Sequence, residues 1–423
     1  MSNFIFSDHD TTTLAKTFGT PLYVISQDKI EQSINEITSA LTAENIDHSI
    51  NYAGKAFLNT AMCRIVKNAG INLDVVSEGE LITALTSAFP PSRITFHGSN
   101  KTDREITLAI NSSVGTITID SLEEIPRVDR IAGELGKVQN VHLRLSPGVE
   151  AHTHEYITTG TLDSKFGIPL SQAIRGAIMC KEAANLSLTG IHCHIGSSIT
   201  TMEPFAVAME IMLDMFMQFR GMGIDLSELN LGGGFGVIYL PGDTRFDLRA
   251  YAKTLRQSID KFFEKYPDEK VPKIIVEPGR FIISEAGITL YTIGTIKEIP
   301  EVKTYISVDG SLADNPRPAL YQAEYHAIIA NKFGEEPTRT VTVAGRACES
   351  DTLIRNISLP DPQRGDILAV MCTGAYNYSM ASNYNRLPRP AVVLLKGDKA
   401  ELMVRRETVE QVIQNDLTPS WLE

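Results

Sequence analysis

Eight short apolar runs rich in β-branched residues, separated by helix-like segments, constrain this chain more than any other feature. They lie at 48–53, 72–76, 94–97, 115–119, 141–145, 188–194, 228–231 and 273–277. Between them, apolar residues recur at helical spacing. Ile30, Ile34, Ile37 and Leu41 share one face, as do Leu122, Ile125, Val128, Ile131 and Leu135, and again Leu248, Tyr251, Ala252, Leu255, Ile259 and Phe262. Eight strand–helix units over about 240 residues are the content of an α/β fold of the (β/α)8, TIM-like barrel type. Their nearly even spacing favours a closed barrel over an open doubly wound sheet. Ser77-x-x-Glu80, Thr102-x-x-Glu105 and Ser121-x-x-Glu124 read as capping boxes, and Gly70 as a helix stop.

After about Arg280 the pattern changes. Strand-like runs at 288–296, 304–308, 339–343, 367–372, 391–395 and 400–404, with Gly, Pro and Asp between them, predict a second, mostly antiparallel β domain. The run at 21–25 can join it. The expected division is a barrel over 27–280 and a β domain made of 1–26 with 281–423. A chain of 423 residues has room for both.

Composition narrows the partners. With 39 basic and 51 acidic residues the formal charge is −12, which argues against nucleic acid and anionic membranes as partners. No apolar run approaches the roughly 18 residues of a membrane span, and the N-terminal sequence predicts no secretory signal. The cysteines Cys63, Cys180, Cys193, Cys348 and Cys372 are odd in number and lack CxxC spacing, which fits free thiols in a reducing cytoplasm. His152/His154 and His192/His194 have no companion ligands at metal-site spacing, so no metal is expected.

Barrel enzymes build their sites at the C-terminal ends of the strands. Those ends carry Lys55, Asp74, His97, Asp120, Arg144, His194, the triplet Gly232, Gly233 and Gly234, and Glu277. Lys55 has small or apolar neighbours, so desolvation is expected to lower its pKa and free a nucleophilic amine; a plain surface lysine is the alternative. The glycines let backbone N–H groups approach an anion. In Glu277-Pro278-Gly279-Arg280, a carboxylate can hold a proton on a pyridine nitrogen, and Arg280 offers a fork of donors to phosphate or carboxylate. A salt bridge at the rim is the alternative. His192 and His194 point to one side, where one can lie flat on a planar cofactor, and Ser197 offers a hydroxyl. Cys348 beside Glu349 suggests a proton donor or nucleophile; a buried structural thiol is the alternative.

Taken in order, these motifs resemble the fold-type III pyridoxal-phosphate-dependent decarboxylases. The matching pieces are Tyr52-Ala53-Gly54-Lys55-Ala56, Thr153-His154-Glu155-Tyr156, Ser164-Lys165-Phe166-Gly167, His192-Cys193-His194-Ile195-Gly196-Ser197, Gly232-Gly233-Gly234 and Glu277-Pro278-Gly279-Arg280. They continue with Arg317-Pro318-Ala319-Leu320-Tyr321, Cys348-Glu349-Ser350 and Ser382-Asn383-Tyr384-Asn385, so the resemblance spans nearly the whole chain. It implies pyridoxal 5'-phosphate as cofactor, with Lys55 as the lysine that bonds it, His194 stacked on the ring and Glu277 on the ring nitrogen. Asp74, Ser197, Gly233, Gly234, Gly279, Arg280 and Tyr376 would complete its binding. Arg280, Arg317, Tyr321, Glu349 and Tyr376 would contact a small amino-acid substrate. Cys348 would return a proton after CO2 leaves, acting in the neighbouring subunit's site, so a homodimer with shared active sites is implied. The expected reaction is decarboxylation of meso-2,6-diaminopimelate to L-lysine. The rivals are a related decarboxylase of another free or carrier-bound amino acid, an amino-acid racemase and a non-catalytic regulator. The sequence departs from the family pattern at Ser198, at Asn315-Pro316, at Leu145-Ser146-Pro147 and at Asp351, which follows Cys-Glu-Ser where Gly is usual.

Overall fold

All eight runs form strands in the computed structural model, which describes residues 2–149 and 165–422. The strands are His48–Ala53, Asn72–Val75, Ile94–Phe96, Thr116–Ile119, Gln139–Ser146, Leu186–His192, Glu228–Asn230 and Lys273–Val276. Each pairs in parallel with the next. The last pairs with the first, Ile274 opposite His48 and Val276 opposite Ile50, which closes the barrel. Leu73, Val75, Ile117, Ile119, Val141, Leu143, Ile191, Leu229, Ile274 and Val276 are buried. Strands enclosed on both faces read as nearly continuous apolar runs, which is why the sequence shows them so plainly. The second, third, sixth, seventh and eighth strands end one or two residues earlier than their apolar runs. His97, His194, Leu231 and Glu277 therefore leave the ladder at the start of the following loops.

The helix starts differ from one another. At Thr102 the full capping box forms: its hydroxyl accepts the Glu105 N–H and the Glu105 carboxylate accepts the Thr102 N–H. Ser77 caps Glu80, but the Glu80 carboxylate reaches one residue further back, to the Val76 N–H at 2.8 Å. The box expected at Ser121 does not form, and the helix begins at Glu124 without a side-chain cap. The Glu124 carboxylate instead takes the buried Lys101 ammonium at 2.6 Å and the Asp120 N–H at 2.8 Å. A buried ammonium needs a counter-charge more than a helix end needs a cap. Gly70 has φ +77° just past the helix Thr60–Asn68, as its position predicts.

By contacts the chain divides into two units. The barrel unit is Glu31–Val237 with Thr244–Ile282, and the other is Met1–Ile30, Ile238–Asp243 and Ile283–Glu423. In the second unit the long strand Gly287–Ile299 runs antiparallel to Lys303–Val308, Ile367–Val370 and Leu22–Ser26. Two pairings are parallel, Lys303–Val308 with Arg339–Ala344 and Leu22–Ser26 with Ala391–Lys396, so this mostly antiparallel sheet is mixed. Strands at Ala327–Ile329 and Thr352–Leu359 were not foreseen. The first is short, and Arg355-Asn356 interrupts the apolar pattern of the second. Tyr291, Ile293, Ile306, Val343 and Leu368 form one buried cluster, and Leu22, Val24, Leu290 and Val393 another. Among the described residues, no helix is long and apolar enough to cross a membrane.

Candidate active site

Glu277 emerges one residue beyond the eighth strand, its N–H held by the Gly232 carbonyl at 2.7 Å. Its carboxylate is buried among three donors. His97 Nε2 at 3.0 Å and Asn230 Nδ2 at 2.6 Å reach Oε1, and His192 Nε2 at 3.0 Å reaches Oε2. Asn230 is oriented by accepting the Gly232 N–H at 2.9 Å. Burial pushes the Glu277 pKa up, but the His97 charge and the hydrogen bonds of His97 and His192 outweigh it and hold the carboxyl well below the usual range. Burial also opposes charge on His97, yet Asp74 and Glu277 raise its pKa. Burial takes His192 down to about 3, so its imidazole is neutral. Burial lifts the Asp74 carboxyl to about 6 against the charges of His97 and Lys55.

The result is a fixed anion in the barrel mouth. Asp74 Oδ1 and His192 Nδ1 are buried beside it without hydrogen-bond partners. A carboxylate offers about four acceptor sites; three are taken, leaving Oε2 room for one more N–H. Ligand atoms of His97, His192 and Glu277 lie within 4.8 Å of one another, close enough for a metal. Both histidine Nε2 atoms, however, are committed to the carboxylate. His97 and Asn230 received no role from sequence. The available signal was a polar residue inside or at the end of an apolar run, as in Leu229-Asn230-Leu231 and Phe96-His97.

The glycine triplet draws three strand ends together. A β-carbon at Gly233 would stand 2.1 Å from the Glu277 carbonyl, and one at Gly234, where φ is +110°, 2.3 Å from the Gly196 carbonyl. The Gly233 N–H donates to His194 Nδ1 at 3.4 Å. His194 is half-buried, and burial together with the Lys55 and Arg144 charges holds its imidazole neutral, down to about 3. Beside it Ser197 Oγ accepts from Arg280 Nε at 3.3 Å and Nη2 at 3.0 Å. Ser198 is exposed, with φ +60°. Gly279 lies against Ala53 and Ala56, where its β-carbon would come within 3.1 Å of either side chain.

Lys55 sits in the one-turn helix Gly54–Ala56, directly after the first strand. A β-carbon at Gly54 would lie 2.8 Å from the Asp74 carbonyl, so this turn packs on the second strand. Contrary to the expected desolvation, Lys55 is exposed; the small residues around it crowd the backbone and leave the long side chain clear. Its charge acts on Asp74, Glu80 and His194. At the fifth strand Arg144 pairs with Asp120 at 3.2 Å and lies over the Phe166 ring at 4.5 Å. The Thr153-His154-Glu155-Tyr156 motif and Ser164 lie outside the described residues.

These groups fit pyridoxal phosphate. Glu277 would offer an ionised acceptor to the ring nitrogen, Ser197, Arg280 and bare glycine backbone would suit the phosphate, and Lys55 would offer an amine.

In the second unit Arg317 is buried in an aromatic cage. Its guanidinium donates to Tyr239 at 3.0 Å and Tyr325 at 2.7 Å and faces the Tyr376 ring at 6.0 Å. Asn377 links Tyr325 to the buried Asn315, one of the departures from the family pattern. Tyr239, Tyr325 and Asn377 were not foreseen, since nothing in the sequence brings them to Arg317. Tyr321 is exposed at the end of the helix Arg317–Tyr321. Cys348 is exposed, whereas Cys63, Cys180, Cys193 and Cys372 are buried. Glu349 and Ser350 line a cavity of about 950 Å³ with Glu324, Arg355 and Thr352.

A closed parallel barrel with this mouth defines a class of enzyme, and comparison with known families agrees. The family model described as "Pyridoxal-dependent decarboxylase, pyridoxal binding domain" matches residues 27–284, and the chain belongs to that family. Within it, the chain is 43% identical over 412 residues to the diaminopimelate decarboxylase of Bacillus subtilis (strain 168), covering 96% of this chain and 94% of that one. It is 45% identical over 408 residues to the enzyme of the same name from Staphylococcus aureus (strain COL), covering 96% and 95%. The crystal structure of diaminopimelate decarboxylase from M. jannaschii superposes with a TM-score of 0.94 at 34% identity, covering all of this chain and 98% of that one. A second structure of that protein, in complex with L-lysine, matches equally.

Proposed function

We propose that this chain decarboxylates meso-2,6-diaminopimelate to L-lysine and CO2. Two groups of observations support the reading: the ionised Glu277 at a barrel mouth that also presents Lys55, and likeness to diaminopimelate decarboxylases over 96% of the chain. The first test is whether meso-diaminopimelate yields CO2 and L-lysine in equal amounts.

Bound pyridoxal phosphate supplies the electron sink for the pair released when the carboxylate leaves. The protein's part is to hold, orient and move protons. Lys55 would hold the cofactor through its side-chain amine. Glu277, kept anionic by His97 and His192, would retain a proton on the ring nitrogen, and neutral His194 would lie against the ring. Ser197, Gly233, Gly234, Gly279 and Arg280 anchor the phosphate, and Asp74 and Tyr376 complete the cofactor's surroundings. Diaminopimelate carries an ammonium and a carboxylate at its far end. Glu349 suits the first and Arg317 or Arg280 the second, while Tyr321 and Tyr376 border the substrate. The Cys348 thiol gives its proton to the carbon that has lost CO2 and is reprotonated by solvent, so each turnover consumes one proton.

Cys348 serves the neighbouring subunit in this reading, and the working unit is a homodimer in the cytoplasm. The expected result is complementation between two defective proteins. Lys55→Ala and Cys348→Ala homodimers are both impaired. In a mixed dimer, one site carries both defects and the other carries neither. With random exchange half the dimers are mixed, so mixing restores about a quarter of wild-type activity, following the two-fold logic of an isologous dimer. Absence of recovery, with exchange verified by mass spectrometry of intact dimers, contradicts the shared site.

A further inference from the structure

The Ser382-Asn383-Tyr384-Asn385 motif has no part in the reaction as described, yet it grips the turn that carries Cys348. Asn385 Oδ1 accepts the Cys348 N–H at 2.7 Å. The Ala347 carbonyl, at the other end of that peptide, accepts the Glu349 N–H at 2.9 Å. Both polar groups of the Ala347–Cys348 peptide are therefore bonded, which fixes its plane. Tyr384 Oη donates toward the Cys348 carbonyl and Glu349 Oε2, each at 3.4 Å.

The gripping segment is itself anchored. Asn383 donates to the Leu387 carbonyl at 2.9 Å and to Glu407 at 2.7 Å, and Glu407 pairs with Arg389 at 2.8 Å. Asn385 has φ 51° and ψ 25°, a left-handed conformation that asparagine tolerates better than most residues. From the other side Asp351 accepts the Ala347 N–H at 2.9 Å and the Leu312 N–H at 2.7 Å. The turn's backbone is thus clamped on two sides, and the Cys348 side chain projects from a fixed frame.

We infer that Asn385 is a positioning residue whose side-chain oxygen holds the Cys348 backbone and thereby aims the thiol. The inference deepens the reading of Cys348 as proton donor and rests on it for its effect on turnover. The test compares Asn385→Gly, which suits the left-handed backbone but removes the acceptor, with Asn385→Asp, which keeps an acceptor oxygen. Two quantities are measured on holoenzyme: kcat, and the iodoacetamide labelling rate of Cys348, followed by mass spectrometry of its peptide. The other cysteines are buried and give a low background. In the Gly variant labelling is expected to be severalfold faster and kcat lower by about ten- to hundred-fold, the order that misplacing a reacting group costs. The Asp variant restores both. A changed labelling rate with unchanged kcat upholds the positioning and overturns Cys348 as donor. A wild-type labelling rate in Asn385→Gly overturns the inference whatever kcat does.

Discussion

A Lys55→Ala protein is expected to release no measurable CO2 and to lose the visible absorbance of lysine-bonded cofactor. Among the described residues, Lys101 and Lys165 also lie on loops that follow barrel strands; Lys165 stands nineteen residues past Ser146 with its Nζ over the Phe166 ring at 4.8 Å, and Lys101 cannot substitute. It is buried, and its ammonium is spent on the Gly98 carbonyl at 2.8 Å, the Thr118 carbonyl at 2.7 Å and the Glu124 carboxylate at 2.6 Å. Freeing it would leave Glu124 as an uncompensated buried charge, at about 3–5 kcal/mol. Lys55 makes no comparable commitment in its turn, and its replacement removes one exposed side chain, so thermal unfolding should stay near wild type. Absorption spectra and a CO2-trapping assay on the purified variant check both expectations. A variant that keeps either signal contradicts the assignment of Lys55.

Replacing Glu277 by Gln is expected to lower kcat by about 10²–10³-fold while cofactor binding survives. Loss of one preorganised electrostatic partner costs on that order. The amide has nearly the shape of the carboxylate, and its oxygen can still accept from His97 and Asn230. Its NH2 then faces His192 Nε2. Neutral His192 can shift its proton to Nδ1, which has no hydrogen-bond partner to give up. The site absorbs the change at the cost of one buried donor, His192 Nδ1–H, left without an acceptor, about 1–3 kcal/mol. It cannot replace the negative charge that holds a proton on the ring nitrogen. Cofactor stoichiometry and kcat, measured together, separate binding from chemistry, and an unchanged kcat would show that Glu277 does not control that proton.

The parts of this account legible in the sequence are those set by local chemistry. Strands buried on both faces announce themselves as apolar runs, and residues just past them, such as Lys55 and Glu277, follow from the barrel rule. Partners chosen across the barrel were not legible. His97, His192 and Asn230 come from three different strand ends, and their convergence on Glu277 needs the closed ring of pairings. The Arg317 cage draws on residues 239, 325 and 376 for the same reason. At Ser121 the spacing suggests a helix cap, but Glu124 is claimed by the buried Lys101 instead. The small neighbours of Lys55 suggest burial by sequence, yet they crowd the backbone and leave the side chain exposed. Asp351, a departure from the family pattern by sequence, is a clamp on the Cys348 turn in the structure.

The central claim, the identity of the substrate, is tested most directly by CO2 release from purified holoenzyme given meso-diaminopimelate, ornithine, arginine, lysine and glutamate in parallel. The predicted result is a kcat/KM for meso-diaminopimelate at least about a hundredfold above the others, because only that substrate offers both an ammonium and a carboxylate to buried or positioned partners at its far end. Equal or better turnover of ornithine, arginine, lysine or glutamate would contradict the account.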